Sequence, residues 1–226
     1  MFIGHFAPAF AARAVSSNAP KLGTLFVAAQ LVDFAFFLLV MVGAEHMRIV
    51  PGITAMNPYD FYDMPFTHSL LGTAMFGLAF ALFIALRTRN HMAGLVATIV
   101  VVSHWVLDLI VHRPDLTLAG RQPKLGFELW DYPWIEMPLE LLLTLGAFWF
   151  YVRRTKGPVG PPVILLVLLL AVQGINWFGP KPEEFTIALP LIGLGTLAVL
   201  SLVASWVGST RFHKREVGLA VASTPR

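Results

Sequence analysis

The chain has 226 residues, of which 57% are hydrophobic and only 13% are charged. Soluble domains carry about 25% charged residues, so this composition excludes an ordinary soluble enzyme and indicates an integral membrane protein. The sequence pI is 9.4, but the basic residues fall in short loops between apolar segments, where membrane topology explains them better than nucleic-acid binding does. The chain has no cysteine, which excludes disulfides and thiolate metal sites.

The chain begins with a segment, 5–15, that is predicted to form a short helix, too short to cross a bilayer. It lacks the basic start and the continuous apolar core of a signal peptide, so we expect it to be retained. Six apolar segments follow, over 22–42, 68–86, 92–112, 132–151, 162–178 and 185–207. The predicted fold class is therefore all-α: a polytopic membrane helical bundle with about six transmembrane helices plus the short N-terminal helix.

The loops predict the orientation of this bundle. Six spans place both ends of the chain on one side of the membrane; eleven Lys and Arg residues lie on that side and five on the other. The positive-inside rule then predicts both termini in the cytoplasm. We expect the location to be a bacterial inner membrane, which the family resemblance given below implies. No internal repeat or long linker divides the sequence, so we expect a single integral membrane domain over 1–226.

Ionisable residues lie inside the third apolar segment. His104 and Asp108 are four residues apart, so on a helix their side chains face the same way. His112 lies one turn further on and is interpreted as an interfacial residue, and Pro114 predicts that the helix ends just after it. Such groups are too costly to face lipid, so they must face protein, water or an ion.

Polar groups on other segments fall at a similar depth. Asp33 lies on the first span, His68 opens the second, and Glu136 and Glu140 lie one turn apart on the fourth. At about 1.5 Å per helical residue, these positions share one layer in the outer half of the membrane. The sequence therefore predicts one polar cavity in that half, whereas the inner halves of the spans are almost entirely apolar.

Several carboxylates and histidines without matching lysines or arginines predict a bound cation. Nitrogen and oxygen ligands suit a divalent metal, with zinc favoured and manganese or iron as alternatives. Such a metal can activate water as a nucleophile at neutral pH, and Glu136 or Glu140 would then be the general base or an extra ligand.

The first half of the chain carries short motifs that resemble those of one family. The run T-H-S-L-L over 67–71 is similar to the end of an H-R-G-x-T-H-S motif, and Ser103, His104 and Asp108 match an S-H-x-x-x-D element. In this order the two motifs resemble the YdjM-like family, described as LexA-binding, inner-membrane metal-dependent hydrolases. The likeness covers 1–115, and the helices over 130–208 lie beyond it.

The resemblance implies a ligand set for the metal. It would consist of Asp33, His68, His104 and Asp108, with His5 added because Gly4-His5 matches an early Gly-His of the family. The chain departs from the family pattern in two places. The D-x-D-H motif has become D-F-A-F from Asp33 onwards, and H-R-G has become D-M-P.

Two classes of function remain open at this point. The first is a membrane-embedded metal-dependent hydrolase acting on a lipid or an amphiphilic phosphate or ester, with membrane lipid as its surroundings and no nucleic-acid partner. The second is a non-catalytic accessory subunit of a membrane-protein complex, whose polar layer binds a partner, pigment, quinone or ion. A transporter is less supported, since the sequence shows no inverted repeat.

Overall fold

A computed structural model describes residues 1–214 and shows an all-α helical bundle, as predicted. A 3-10 turn, Ile3–Phe6, leads into the first of eight α-helices in this part of the chain. The helices are α1 (Ala7–Val15), α2 (Leu22–Ala29), α3 (Leu31–Met41), α4 (Leu70–Thr88), α5 (His91–Val111), α6 (Pro133–Arg154), α7 (Gly160–Phe178) and α8 (Ala188–Thr210). In residues 1–214, the five helices α4 to α8 are each long and apolar enough to cross a membrane.

The first predicted span is not one continuous helix. Helices α2 and α3 meet at an angle of 50°, and counted together they would make a sixth span. The break falls at Gln30, whose φ of −114° and ψ of 12° are not helical. The adjacent Ala29 carbonyl accepts a hydrogen bond from the His104 ring. The expectation of an unbroken helix over 22–42 is therefore corrected, since the chain bends where it meets the polar layer.

The apolar core is built around the two short helices α1 and α2. Helix α1 packs against α6, while α2 packs between α5 and α8. Phe6 stacks on Phe26, and Phe10 meets the same ring edge-on. Helices α2 and α8 approach so closely that a Cβ on Gly23 would lie 2.6 Å from the Cα of Ser205. The long helices thus enclose a short N-terminal unit whose aromatic side chains Phe6, Phe10 and Phe26 are fully buried.

Small antiparallel pairings occupy the connections between helices. They are β1 (His46–Ile49) with β2 (Tyr59–Asp63), β3 (Leu116–Thr117) with β4 (Lys124–Leu125), and β5 (Thr155–Lys156) with β6 (Phe212–His213); a second 3-10 turn is Leu129–Asp131. The β1–β2 hairpin was not predicted. It covers the end of the bundle at which α5 finishes, because Phe61 in β2 contacts the ring of His112.

The ends of α4 and α5 are set by local sequence. The Ser69 hydroxyl accepts a hydrogen bond from the Gly72 N–H at 3.0 Å, which caps α4 and leaves His68 just outside the helix. Helix α5 ends at Val111, and His112 is its C-cap residue. The predicted stop near His112 is correct to one residue, in keeping with the effect of Pro114 on the residue before it.

Candidate metal centre

The carboxylate of Asp108 lies at the centre of a buried cluster of histidines. Its Oδ2 is 3.0 Å from His104 Nε2 and 3.6 Å from His68 Nε2. Its Oδ1 is 3.0 Å from His5 Nε2 and 3.5 Å from His112 Nε2. Each oxygen of one carboxylate therefore faces the Nε2 atoms of two imidazoles that come from different parts of the chain.

Asp33, on α3, supplies a second carboxylate on one side of this cluster. Its Oδ1 is 3.4 Å from His104 Nε2 and 3.5 Å from His68 Nε2, so these two rings lie between two carboxylates. The Asp33 side chain is 22% exposed, whereas the side chains of Asp108 and of the four histidines around it are at most 5% exposed. The structure thus brings all five predicted ligands together, and the cluster opens beside Asp33.

The hydrogen bond of His104 fixes which of its ring nitrogens carries a proton. Nδ1 lies 2.8 Å from the carbonyl oxygen of Ala29, and a carbonyl can only accept. In a neutral ring the proton is therefore on Nδ1, and Nε2 presents a lone pair to the carboxylates of Asp33 and Asp108. Nε2 has no hydrogen-bond partner among the described residues. A lone pair facing two carboxylates is unfavourable unless a second proton on the ring or a metal cation lies between them.

His68 is oriented in the same way by a different set of groups. Its Nδ1 lies 2.9 Å from the Thr67 hydroxyl, and this hydroxyl donates its own proton to the Glu45 carboxylate. The hydroxyl must therefore accept from His68 Nδ1–H, which leaves Nε2 unprotonated in a neutral ring. Glu45 is fully buried and also accepts from the backbone N–H of Thr67, and Trp105 Nε1 donates to the His68 carbonyl.

His112 completes the cluster and is not the interfacial residue that its position predicted. It is 4% exposed, and its Nδ1 lies 2.9 Å from Asp115 Oδ1. The ring of Trp130 covers it at a centroid distance of 4.2 Å. Burial opposes protonation of His112, but the carboxylates of Asp115 and Asp108 outweigh it and raise the pKa to about 9.

His5 reaches the cluster because residues 1–6 fold into the bundle. Its ring stacks on that of His104 with centroids 3.9 Å apart and an interplanar angle of 8°. His5 is 2% exposed, and its nitrogens form no hydrogen bond with the described residues. The positive-inside rule predicts the N-terminus on the cytoplasmic side, and the structure buries His5 beside Asp108 inside the bundle.

The two predicted catalytic glutamates lie on α6 and are buried. Glu140 accepts hydrogen bonds from the backbone N–H groups of Phe2 and Gly4 and from Gln173 Nε2. Glu136 has one carboxylate oxygen, Oε2, without a hydrogen-bond partner in the described residues. A catalytic role for either glutamate stays a prediction, and the contacts of Glu140 are those of a group that binds residues 1–6.

The donor atoms fit a divalent cation. His5, His104 and Asp108 offer three ligand atoms within 4.8 Å of one another, and Asp33, His68 and His104 offer another three. Neutral imidazole and carboxylate are the ligands of zinc sites that lack thiolate. Hydrogen bonds from the second ring nitrogen to a carbonyl, hydroxyl or carboxylate are the usual support of histidines that bind metal. The cluster can therefore hold a metal ion.

The groups that support the histidines were missed in the sequence. Asp115 is three residues beyond His112, so its spacing offered a signal. Thr67 was noted only as part of a motif. Glu45 lies in a proline-containing loop more than twenty residues before Thr67, and nothing local indicates that the two meet.

Comparison of the chain with protein-family models, with curated proteins and with solved structures gives no match. The likeness to the YdjM-like family rests on the motif residues of the sequence and stays a prediction.

Proposed function

We propose that this chain is a membrane-embedded, zinc-dependent hydrolase. The observation that carries the proposal is the orientation of His68 and His104. Each directs Nδ1 at an acceptor, so that in a neutral ring Nε2 turns a lone pair towards the carboxylates of Asp33 and Asp108. A histidine that pairs with an aspartate carries a proton on the ring nitrogen that faces the carboxylate. In a neutral ring of His68 or His104 that proton is on Nδ1, so the facing Nε2 has none. A metal ion supplies the missing positive charge.

The number of histidines supports a metal over protonated pairs. His5, His68, His104 and His112 all direct Nε2 at Asp108. Asp33 and Asp115 add two further carboxylates, and the Met1 ammonium lies 3.3 Å from Asp108 Oδ1. Four imidazolium groups and the ammonium would place five positive charges against three carboxylates in a buried site, which desolvation strongly disfavours. With a divalent cation bound, the facing rings can be neutral, and the carboxylates of Asp33 and Asp108 balance the ion.

The opening of the cluster favours a lipid or amphiphilic substrate. The exposed edge belongs to Asp33, on α3, whose residues Leu38 and Met41 are 54% and 36% exposed. On the loop side, Phe61 and Trp130 cover His112. A substrate would therefore approach from the apolar flank of α3. In the predicted topology, this flank lies in the outer half of the inner membrane.

The chain's residues have distinct parts in this reaction. A bound zinc ion acts as a Lewis acid and makes water a nucleophile near neutral pH. The histidines and Asp108 would hold the ion, Asp33 would bind it at the open edge, and burial excludes bulk water from all but that edge. Glu136 is kept as the predicted general base, and one of its buried carboxylate oxygens has no partner in the described residues.

Phosphate release tests the proposal. The detergent-purified chain, loaded with zinc, is given phosphatidic acid in mixed micelles or the water-soluble ester p-nitrophenyl phosphate. We expect zinc-dependent release from the lipid that exceeds release from the soluble ester and is lost in Asp108→Ala. The matched control is Asp63→Ala, an aspartate that pairs with His46 on the exposed hairpin. An Asp108→Ala protein with unchanged release would overturn the assignment, and bound zinc without release from lipid phosphates or esters would favour the accessory-subunit alternative.

A further inference from the structure

Residues 1–6 are bound through their backbone by polar side chains of two long helices. The N–H groups of Phe2 and Gly4 both donate to Glu140 Oε1, and the N–H of Ile3 donates to Gln173 Oε1 at 3.4 Å. Gln173 Nε2 also donates to Glu140 Oε2 at 2.8 Å. Three successive backbone N–H groups and one amide thus converge on a carboxylate of α6 and an amide of α7.

This cluster of hydrogen bonds supports the backbone of residues 2–4 and so positions His5. The His5 ring contacts Asp108 Oδ1 at 3.0 Å and stacks against His104, but its Nδ1 has no partner in the described residues, so its place depends largely on its backbone. The fit is close: a Cβ on Gly4 would lie 2.4 Å from Met1 Sδ and 3.4 Å from Glu140 Cγ. Moving the 3-10 turn would therefore move His5 Nε2 away from Asp108.

The Glu140 carboxylate is buried on a membrane-spanning helix, where its energetic cost must be offset by its contacts. Glu140 is 1% exposed and lies on a helix that is apolar enough to span a membrane. An intramembrane carboxylate is costly, and a neutral side chain would pack α6 more simply. Glu140 accepts its hydrogen bonds from the backbone of Phe2 and Gly4 and from Gln173. The carboxylate therefore binds the segment that carries His5.

We propose that Glu140 and Gln173 form a latch, defined by these two residues, that positions His5 in the candidate metal centre. Both are positioning residues in this account, because they act on the cluster through residues 1–6. The inference deepens the proposed function, since His5 would be the ligand that the latch holds. In this account α6 and α7, which lie beyond the half of the chain that carries the motifs, help to position a ligand of the candidate metal centre.

Exchange of the two side chains tests the latch without using metal. Glu140→Gln places an amide N–H₂ against the Gln173 amide, and Gln173→Glu places a second carboxylate against Glu140. The double variant restores a donor facing an acceptor and keeps an acceptor for each backbone N–H. The chain has no cysteine, so Ile3→Cys, at a fully buried position, reports opening of the segment through its rate of maleimide labelling.

The latch predicts faster labelling of Ile3→Cys in either single variant, by about tenfold or more, because a hydrogen bond to a charged group is lost. In the double variant the labelling rate should return towards that of the Ile3→Cys protein with native Glu140 and Gln173. Equal labelling in all four proteins would overturn the latch, whatever the protein does with metal. A control cysteine at Ala97, which is fully buried on α5, shows whether the whole bundle has loosened.

Zinc affinity connects the latch to the metal centre. We expect Glu140→Gln to weaken zinc binding by about tenfold, in the range of changes to groups behind a ligand, with recovery in the double variant. Combined with His5→Ala, Glu140→Gln should add little further loss, since the ligand that it positions is already gone. Additive losses would refute a role through His5. If the native chain binds no zinc, the proposed function fails while the labelling result still decides the latch.

Discussion

The two oxygens of Asp108 face two pairs of histidines that are positioned in different ways. On the Oδ2 side, His68 and His104 are each fixed through Nδ1, and Asp33 adds a second carboxylate. On the Oδ1 side, Asp115 fixes His112 through Nδ1, but the Nδ1 of His5 has no partner in the described residues, and His5 is held through its backbone. The Oδ2 side is therefore the more complete and more rigid half of the centre, and it should dominate metal affinity.

Removing Asp108 should have the largest effect, because it is shared by both sides. We expect Asp108→Ala to weaken zinc binding by well over ~100-fold, since changes behind a ligand alone cost 10–100-fold. The measurement is equilibrium dialysis against a zinc-competing chelator. Asp63→Ala, at a half-exposed aspartate of the hairpin, should bind zinc like the native protein.

Removing one histidine from each side of Asp108 compares how much the two sides contribute to zinc affinity. His104→Ala should weaken zinc binding by about 100-fold and His112→Ala by about tenfold, because His104 lies between two carboxylates and His112 beside one of them. The same dialysis measures both. An equal or larger loss in His112→Ala would show that the Oδ1 side is the principal binding half.

Loss of the group that orients His68 should weaken zinc binding less than loss of a ligand. Thr67→Val removes the hydroxyl that accepts His68 Nδ1–H and should weaken zinc binding by about tenfold. Thr88→Val is the matched control, because the Thr88 hydroxyl donates only within α4, to the Ile84 carbonyl. Zinc titrations that give the same affinity for both variants would exclude the orienting role of Thr67.

The smallest effect concerns His112 and the stability of the metal-free protein. Its pKa is raised to about 9 in the fold, above the unfolded value of about 6.5. The stabilisation is therefore fully present below the unfolded pKa and is lost as pH rises through the folded pKa. Asp115→Asn should cost about 1 kcal/mol of unfolding free energy near pH 6 and much less near pH 10. Thermal melts in chelator at both pH values check this, and an equal cost at both would rule out the charged pair.

The sequence predicted the Oδ2 side better than the Oδ1 side, for physical reasons. His104 and Asp108 are neighbours on one helix, and hydropathy with loop residues placed the long helices to within a few residues. The bend at Gln30 was not predicted, because it depends on a hydrogen bond from a distant helix. Glu45 was missed for the same reason. His5 was predicted as a ligand only by resemblance, since no periodicity indicates that a short N-terminal segment folds into the bundle.

Elemental analysis of the detergent-purified protein tests the central claim most directly. The native chain is compared with His104→Ala, and with His46→Ala as a control at an exposed histidine–aspartate pair. Near-stoichiometric zinc, or manganese or iron in its place, in the native and control proteins and its loss in His104→Ala is the predicted result. A folded native protein that contains no bound metal, even after incubation with zinc, would contradict the metal centre and the function proposed from it.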